Sequence, residues 1–506
     1  MPRFRTILAA FALLPTLPSV AFAGGFELPG EGGARGLGRA GAFYARVDDP
    51  MALSLNPANL ADGSGIQIYA TGGLVTADGC FQRTGTYADT DNPIGLGPSI
   101  FDAMPADSST WLAYLNESFP RACNQSPLGP ALNLAASWRI LPELGIGIGI
   151  LTPNGAGSSQ WATDSTRYTT EGGPNPPGIL PPPSRYILLE QDQLLLYPSI
   201  GIAYRPVPWF RFGATFQWGI GVFDFTSVVV RQPGQDPASD VLAKLHASDA
   251  FVPAGIFSAH FVPHDNFDAM LGFKISDNIN ATGETTLETG TYGAGSDPDI
   301  PGPTPNLNAP ITNTQVSAGQ PWEVRLGLRY AQRITPRAED PDQISRLSGR
   351  TEDAMANEWF DIELDAIYLI NKEVTDLALT LPMGSQASFS QVQSGGGVTT
   401  MDLNLPTRIN LPHQWNDQWL LRLGGDFNAI PGLASLRLGF SFETSAYDSS
   451  GVFSNRNAKQ YVGLDFIPGM RFGIHAGLTV RISLVDVSLA YAHVFQETIQ
   501  VTTAEA

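Results

Sequence analysis

The chain has 506 residues, with 29 basic against 48 acidic side chains, a formal net charge of −19 at pH 7, 53 glycines and two cysteines. Such an acidic balance excludes a nucleic-acid partner, because duplexes and single strands alike are held by clustered cationic side chains. Beyond the N-terminal segment no apolar run reaches the length of about 18 residues that a membrane helix needs, which excludes a helical inner-membrane protein.

Arg3 and Arg5 precede a mostly apolar run from Ile7 to Val20, and Ala21-Phe22-Ala23 places small residues at the cleavage-determining positions. Residues 1–23 are therefore expected to be a secretory signal peptide, cleaved after Ala23. Residues 24–60 are glycine-rich, without an amphipathic period and with few strand formers, so they read as an irregular coil that something else must enclose.

The enclosing element is predicted from alternation. Phe210, Phe212, Ala214, Phe216, Trp218, Ile220 and Val222 are apolar, while Arg211, Gly213, Thr215, Gln217, Gly219 and Gly221 lie between them. Trp322–Tyr330, Phe360–Ile370, Leu436–Phe442, Phe472–Val480 and Val485–Tyr491 repeat the pattern, with Arg325, Arg329, Asp361, Glu363, Asp365, Arg437 and His475 on the polar face. A soluble sandwich would bury the apolar face. Segments of about ten residues, aromatics at strand ends (Tyr204, Trp209, Tyr330, Trp359, Trp415, Trp419, Tyr491), and short turns alternating with long polar excursions (152–185, 288–320, 332–356) favour a transmembrane antiparallel β-barrel.

Thirteen strands are predicted, near 66–76, 131–140, 144–151, 193–205, 209–230, 250–261, 267–287, 321–331, 357–371, 415–429, 433–443, 470–481 and 484–495. Bacterial single-chain barrels have even counts, so about fourteen strands are expected, with the last apparently missing. The organisation predicted is thus a signal peptide (1–23), an N-terminal plug (24–60), a barrel with long extracellular loops (61–495) and a tail (496–506), possibly a truncated end. A barrel of that size has a lumen wide enough to leak, and residues 24–60 are the segment available to fill it. Arg35, Arg39, Arg46, Asp48 and Asp49 are expected to anchor this plug to the charged lumen face, and Asn56-Pro57 to fix its exit into the first strand.

Other motifs read blandly. Gly36-Leu37-Gly38-Arg39-Ala40-Gly41 fits a dinucleotide fingerprint, but no strand precedes it and no amphipathic helix follows. His260 and His264 flank the turn Pro263–Asn266 and read as exposed turn histidines rather than metal ligands. Asp361, Glu363 and Asp365 read as lumen charges paired with Arg325 and Arg329 rather than as a calcium site. Cys80 and Cys123, in an exported chain, are expected to form a disulfide stapling a loop. No G-x-S-x-G elbow is present, and neither catalysis nor a cofactor is expected.

Gly36–Ala40 with Asp48-Asp49 and Asn56-Pro57-Ala58, Leu411-Pro412-His413 with Trp415 and Trp419, Ile467-Pro468 with Arg471, Val485-Asp486-Val487 and Tyr491-Ala492-His493 together resemble the outer-membrane long-chain fatty acid and aromatic hydrocarbon transporter family, the FadL/TodX type. Gly469 departs from the family, which usually has an acidic residue after the proline. The resemblance implies passive import of hydrophobic small molecules by a monomer embedded in outer-membrane lipid and lipopolysaccharide of a Gram-negative cell. It further implies a hatch, here Gly36, Gly38, Arg39, Asp48, Asp49, Asn56 and Pro57, whose shift opens a route, and a lateral opening at the third strand, here Pro153, Asn154, Gly155 and Gly157. Trp111, Leu112, Leu115 and Phe119, with Phe81, Phe101, Trp161, Ile179 and Leu180, are apolar residues of long loops that line either a ligand groove or a packed cap. The alternative function is a porin-like channel for small polar solutes.

Overall fold

The computed structural model describes residues 32–76, 78–85, 118–125, 128–152, 156–162, 168–169, 179–180, 182–230, 240–289, 309–337, 353–371, 376–392, 398–412, 415–446, 464 and 469–499. Thirteen strands form one antiparallel meander. They are β1 (Ile66–Thr76), β2 (Leu128–Leu141), β3 (Leu144–Leu151), β4 (Glu190–Val207), β5 (Phe210–Val230), β6 (Asp240–His264), β7 (Phe267–Ser276), β8 (Trp322–Arg333), β9 (Glu358–Ile370), β10 (Gln418–Ile430), β11 (Ala434–Glu443), β12 (Arg471–Ile482) and β13 (Val485–Gln496). Each pairs with the next. Ala156–Gln160, Ile279–Thr289, Ile311–Ala318, Asp376–Thr380 and Arg408–Pro412 prolong β3, β7, β8, β9 and β10 after short breaks. Among the described residues β1 and β13 share no ladder, so the barrel has a seam, and no fourteenth strand is described.

The face that each strand shows to the outside decides between a soluble and a membrane protein. Ile148, Ile200, Ile202, Phe212, Phe216, Leu326, Leu364 and Leu423 are exposed. Their neighbours Arg211, Gln217, Arg325, Glu363, Asp365 and Arg422 are buried. Greasy outside and charged inside is the reverse of a soluble sandwich and the signature of a barrel wall in hydrocarbon. No described helix is long and apolar enough to cross a membrane.

Two aromatic girdles bound this belt. Phe210 packs on Phe261 and Tyr330 on Phe360 at the short-turn end, while Trp218 packs on Phe251 and Tyr368 on Trp419 at the other. Phe210 to Trp218, Trp322 to Tyr330, Phe360 to Tyr368 and Trp419 to Phe427 are each eight residues apart. At about 3.4 Å per residue that is roughly 27 Å along a strand, or about 21 Å of depth at a tilt near 40°, within a few ångströms of the apolar band of about 25 Å.

Several boundaries differ from those read in the sequence. β4 starts at Glu190 and β6 at Asp240, ahead of the 193 and 250 read from the sequence, because pairing with β5, whose span is close to the expected 209–230, continues past the upper girdle without the apolar alternation that marked the membrane part. The excursion 332–356 lies at the same end as the short turns, since Arg333 pairs with Glu358 and the Gly432 amide bonds the Met355 carbonyl. Its length therefore does not mark an extracellular loop. One turn of helix, α3 (Ala354–Asn357), closes this excursion against the 431–433 turn.

A plugged lumen as candidate functional site

The described part of the 24–60 segment is not featureless coil. It forms a short helix α1 (Gly33–Leu37), a second helix α2 (Ala52–Leu55) and a 3-10 turn Pro57–Asp62 that leads into β1. Single turns carry no readable period, which is why alternation and amphipathicity missed them. Pro57 opens the 3-10 turn, where its missing N–H costs nothing, and Asn56 before it is held extended at φ −152° and ψ 84°.

This segment lies inside the barrel, and the inward glycines make the room. A Cβ at Gly145 would sit 1.9 Å from the Leu60 carbonyl oxygen, at Gly201 2.7 Å from Leu53, and at Gly213 2.5 Å from the Pro57 backbone. Across the lumen, a Cβ at Gly424 would meet the Arg39 carbonyl oxygen at 2.2 Å, and Gly38 lies against Gly477. The inward positions left empty in the alternating strands are thus filled by plug backbone. Phe43, Tyr44, Leu53, Leu55 and Leu60 of the plug form one apolar core with Leu151, Leu195, Tyr197, Met270, Ile367 and Leu420 of the wall.

A charge network ties plug to wall. Arg39 is fully buried, and its Nη1 donates to both Asp361 oxygens at 3.0 Å and to Asp426 at 2.8 Å. Its Nη2 donates to Glu363 at 3.1 Å and its Nε to the Ala42 carbonyl at 2.7 Å. Arg46 reaches Asp361 at 2.9 Å and Asp426 at 3.2 Å. From the wall, Arg329 joins Asp361, Asp268 and Glu358, and Arg437 joins Asp426. The carboxylates also take the plug's loose backbone donors: Phe43 N and Tyr44 N bond Asp365 Oδ2 at 2.9 and 3.1 Å, and Ala45 N bonds Glu363 at 2.6 Å. A loop without its own ladder must find such acceptors when buried.

The other plug residues named from the sequence are placed as follows. Gly36 is buried in α1 and Gly38 caps it. Asp48 and Asp49 bind Arg35 within the plug, at 2.6 and 2.9 Å, and Arg46 donates to Asp48 at 2.7 Å. Burial would raise the Asp48 carboxyl, but the Arg35 and Arg46 guanidiniums hold it well below the ordinary carboxylate range. Asn56 Nδ2 donates to the Tyr44 carbonyl at 2.8 Å and lies 3.1 Å from His260 Nδ1. His260 corrects the reading of an exposed turn histidine: it is fully buried, bonded also to Asp268, because it stands on the inward face of β6 before the turn. His264 is exposed. Arg329 meets the acidic stripe as expected, whereas Arg325 binds Glu323 on its own strand and the Ser54 carbonyl.

Pro153, Asn154 and Gly155 lie outside the described residues, as do Trp111, Leu112 and Leu115. Gly157 falls in the strand piece Ala156–Gln160, which pairs with β4. Just before the break, the β2–β3 ladder ends at Leu134–Ile150, and side chains take over: Thr152 N bonds Asn133 Oδ1 at 2.8 Å, and Thr152 Oγ1 accepts from Leu132 N and donates to Leu132 O. Phe119 is buried, with Arg83 over its ring, and Cys80 and Cys123 form a disulfide between two short paired strands of the same loop. Sequence reading missed Asp426 and Asp268, although each is a polar residue at an inward position of an alternating strand; His475, read there on the polar face, is buried beside the Leu37 carbonyl.

With plug and wall in place, the comparisons with known structures can be stated. A Pseudomonas aeruginosa FadL homologue superposes with a TM-score of 0.58 at 14% identity, over 94% of this chain and 92% of that one. The chain has the FadL-type fold. The CymD monoaromatic hydrocarbon channel superposes at 0.51, with 12% identity over 92% of this chain and 94% of that one. The Pseudomonas putida toluene transporter TodX superposes at 0.50, with 13% identity over 92% and 99%. No protein-family model and no curated protein sequence matches the chain. The FadL-type likeness is therefore one of architecture rather than of close sequence kinship.

Proposed function

We propose that this chain is a passive import channel of the outer membrane for hydrophobic compounds, with long-chain fatty acids as cargo. The observation that carries the reading is a membrane barrel whose lumen is filled by a fitted, ion-paired plug, which an open pore for polar solutes would lack. The proteins it resembles in fold include hydrocarbon channels and a FadL homologue. Above the plug, Phe223, Val252, Ile279 and Val316 form an apolar patch among the strands that rise past the upper girdle. Below that patch Ser276 Oγ and Gln320 Nε2 are buried without a hydrogen-bond partner, and Gln320 Oε1 accepts from Tyr197 at 3.0 Å. Unpaired buried donors next to a greasy wall suit an apolar chain with an oxygen head group better than a bare hydrocarbon. Discharge sideways into the bilayer is assigned to the β3 break, where Thr152 and Asn133 side chains replace backbone pairing.

The test is uptake of radiolabelled oleate and toluene by cells carrying the protein, intact and lacking residues 24–42. Faster oleate entry that depends on the plug, without a parallel rise in sugar flux, is the expected result. If the intact protein speeds sugar and neither hydrophobe, the porin-like alternative stands instead.

A further inference from the structure

Above the plug, one level of the wall gathers buried polar side chains that the fold leaves unfinished. Ser199 on β4 stands opposite Gln217 on β5, Gln217 opposite Ala254 on β6, and Ala254 opposite Ser276 at the end of β7, so the four occupy one inward row. Tyr197, two residues from Ser199 on β4, lies across this wall. A Cβ at Gly219 would be 2.7 Å from its Cε1, and its hydroxyl donates to Gln320 Oε1 at 3.0 Å, just before β8. Ser199 Oγ donates its one proton to the Tyr197 carbonyl at 2.9 Å and therefore only accepts from Gln217 Nε2, at 3.3 Å. That fixes which way the Gln217 amide is turned. Its Oε1, with Ser276 Oγ and Gln320 Nε2, is buried without a hydrogen-bond partner among the described residues. Thr215 Oγ1, one inward step below Gln217 on β5, is in the same state. The plug begins there, since a Cβ at Gly201 would lie 2.8 Å from Thr215 Oγ1 and 2.7 Å from Leu53.

A buried polar group with no partner is costly, and an apolar side chain of the same size would fill each place without that cost. Four of them at one level, under the apolar patch of Phe223, Val252, Ile279 and Val316, make a head-group belt beneath a place for an apolar tail. We propose that this belt selects hydrophobic molecules carrying a hydroxyl over those carrying only an acceptor or a fixed negative charge. Gln217 Oε1 is an acceptor that only a donor satisfies, Gln320 Nε2 a donor that only an acceptor satisfies, and the Ser276 hydroxyl serves in either sense. A hydroxyl both gives and takes a hydrogen bond, as does a protonated carboxyl. An ester only accepts, and a bare hydrocarbon does neither. An anionic head group is the competing occupant, because Lys274 and Arg325 both stand on Glu323, at 2.7 and 2.6 Å, which gives that trio one positive charge in excess. Such a head would set its lone pairs against Gln217 Oε1, and Arg325 already gives its Nη1 to the Ser54 carbonyl. The proposal rests on the import reading for the cargo's route to the belt, and it specifies the head group that the belt holds.

Binding to the full chain in lipid nanodiscs tests it, with tritiated oleyl alcohol as the probe and methyl oleate and oleyl sulfate as competitors. The three share one tail; the first donates and accepts, the second only accepts, and the third is anionic at any pH used. Oleyl alcohol should bind at least about tenfold tighter than either competitor, since a site built to bond a hydroxyl rejects the analogue that lacks it. Gln217→Met keeps the length of the side chain and removes the acceptor, and Ser276→Ala removes the hydroxyl. Each should cut the alcohol's advantage over methyl oleate to less than about threefold. Methyl oleate itself should stay within about threefold of its affinity for the unsubstituted protein, which shows that the variant is folded. Equal binding of the three probes, as ordered water at the belt would give, overturns the inference, as does tighter binding of oleyl sulfate or an advantage that survives either substitution. Uptake by cells separates the two readings. Alcohol-selective binding by a protein that speeds the entry of no hydrophobe overturns import and leaves the belt, while plug-dependent oleate uptake without alcohol-selective binding overturns the belt and leaves import.

Discussion

Arg39 offers the sharpest test of plug docking. Replacing it with Met removes its bonds to Asp361, Asp426 and Glu363, all buried, while keeping an unbranched apolar stem in the same space. Asp361 keeps Arg46 and Arg329, and Asp426 keeps Arg46 and Arg437, so the largest loss falls on Glu363, which retains the Ala45 amide. Breaking a buried pair from one side costs about 3–5 kcal/mol, because a desolvated charge is left behind. At about 1.4 kcal/mol per decade, the undocked plug should become roughly 100- to 3,000-fold more populated. Single-channel recording in planar bilayers reads this directly, as brief full-lumen openings absent from the unsubstituted protein. Adding Glu363→Gln removes the stranded charge and should recover at least a tenth of the effect on a logarithmic scale. A variant that conducts no more than the parent, or a double variant whose losses simply add, would refute the network as the plug's anchor.

Three further outcomes follow from the same geometry. Leu326→Arg puts a charge midway between the Trp322 and Tyr330 girdle positions on the lipid face, and should cost about 2–4 kcal/mol in urea titration of folding into vesicles; no change would mean that this face does not meet hydrocarbon. Thr152→Val removes the hydroxyl that both accepts from Leu132 N and donates to Leu132 O, so the Leu132 amide should lose protection worth about 1–3 kcal/mol in hydrogen exchange, with the amide of Ala135 unchanged as control. Acid gives a signed prediction for Asp48. Its carboxyl is held below its unfolded value, so its contribution to the plug's own structure is complete above pH about 4 and fades only as pH falls through the depressed value. The stability lost on Asp48→Asn, read by urea titration, should stay constant from pH 7 to about 4.5 and shrink only below that, and a difference that has already vanished at pH about 5 would contradict the pairing with Arg35 and Arg46.

How much of this was legible depends on the range of the interaction. Strand positions and their outward faces follow from a period of two that any ten residues display, and the thirteen strands counted from Phe210–Val222 and its fellows are the thirteen that pair. What alternation could not give is where a strand ends once the apolar face stops being needed, so β6 was read as 250–261 and runs from Asp240 to His264. Nor could it give the side of the membrane on which a long excursion lies, as the 332–356 segment shows.

The plug was visible as an absence of period and as a set of charges expected to meet the lumen face, but which carboxylate each charge meets was hidden for a physical reason. Arg39 meets Asp361, Glu363 and Asp426 across separations of 322, 324 and 387 residues, and no local pattern encodes a partner so distant. What the sequence does hold is the complement of that contact. In Leu144–Leu151 every second residue is glycine, as are Gly424 and Gly439 on the far wall, and a membrane strand loses packing and backbone entropy for each glycine it carries. A strand that retains three of them on its inward face is making room for backbone. Read that way, the glycines locate the plug's resting place before any coordinate does. The difference between the two glycine sets, one beside buried carboxylates and one beside none, is what separates the wall the plug is tied to from the wall it only touches.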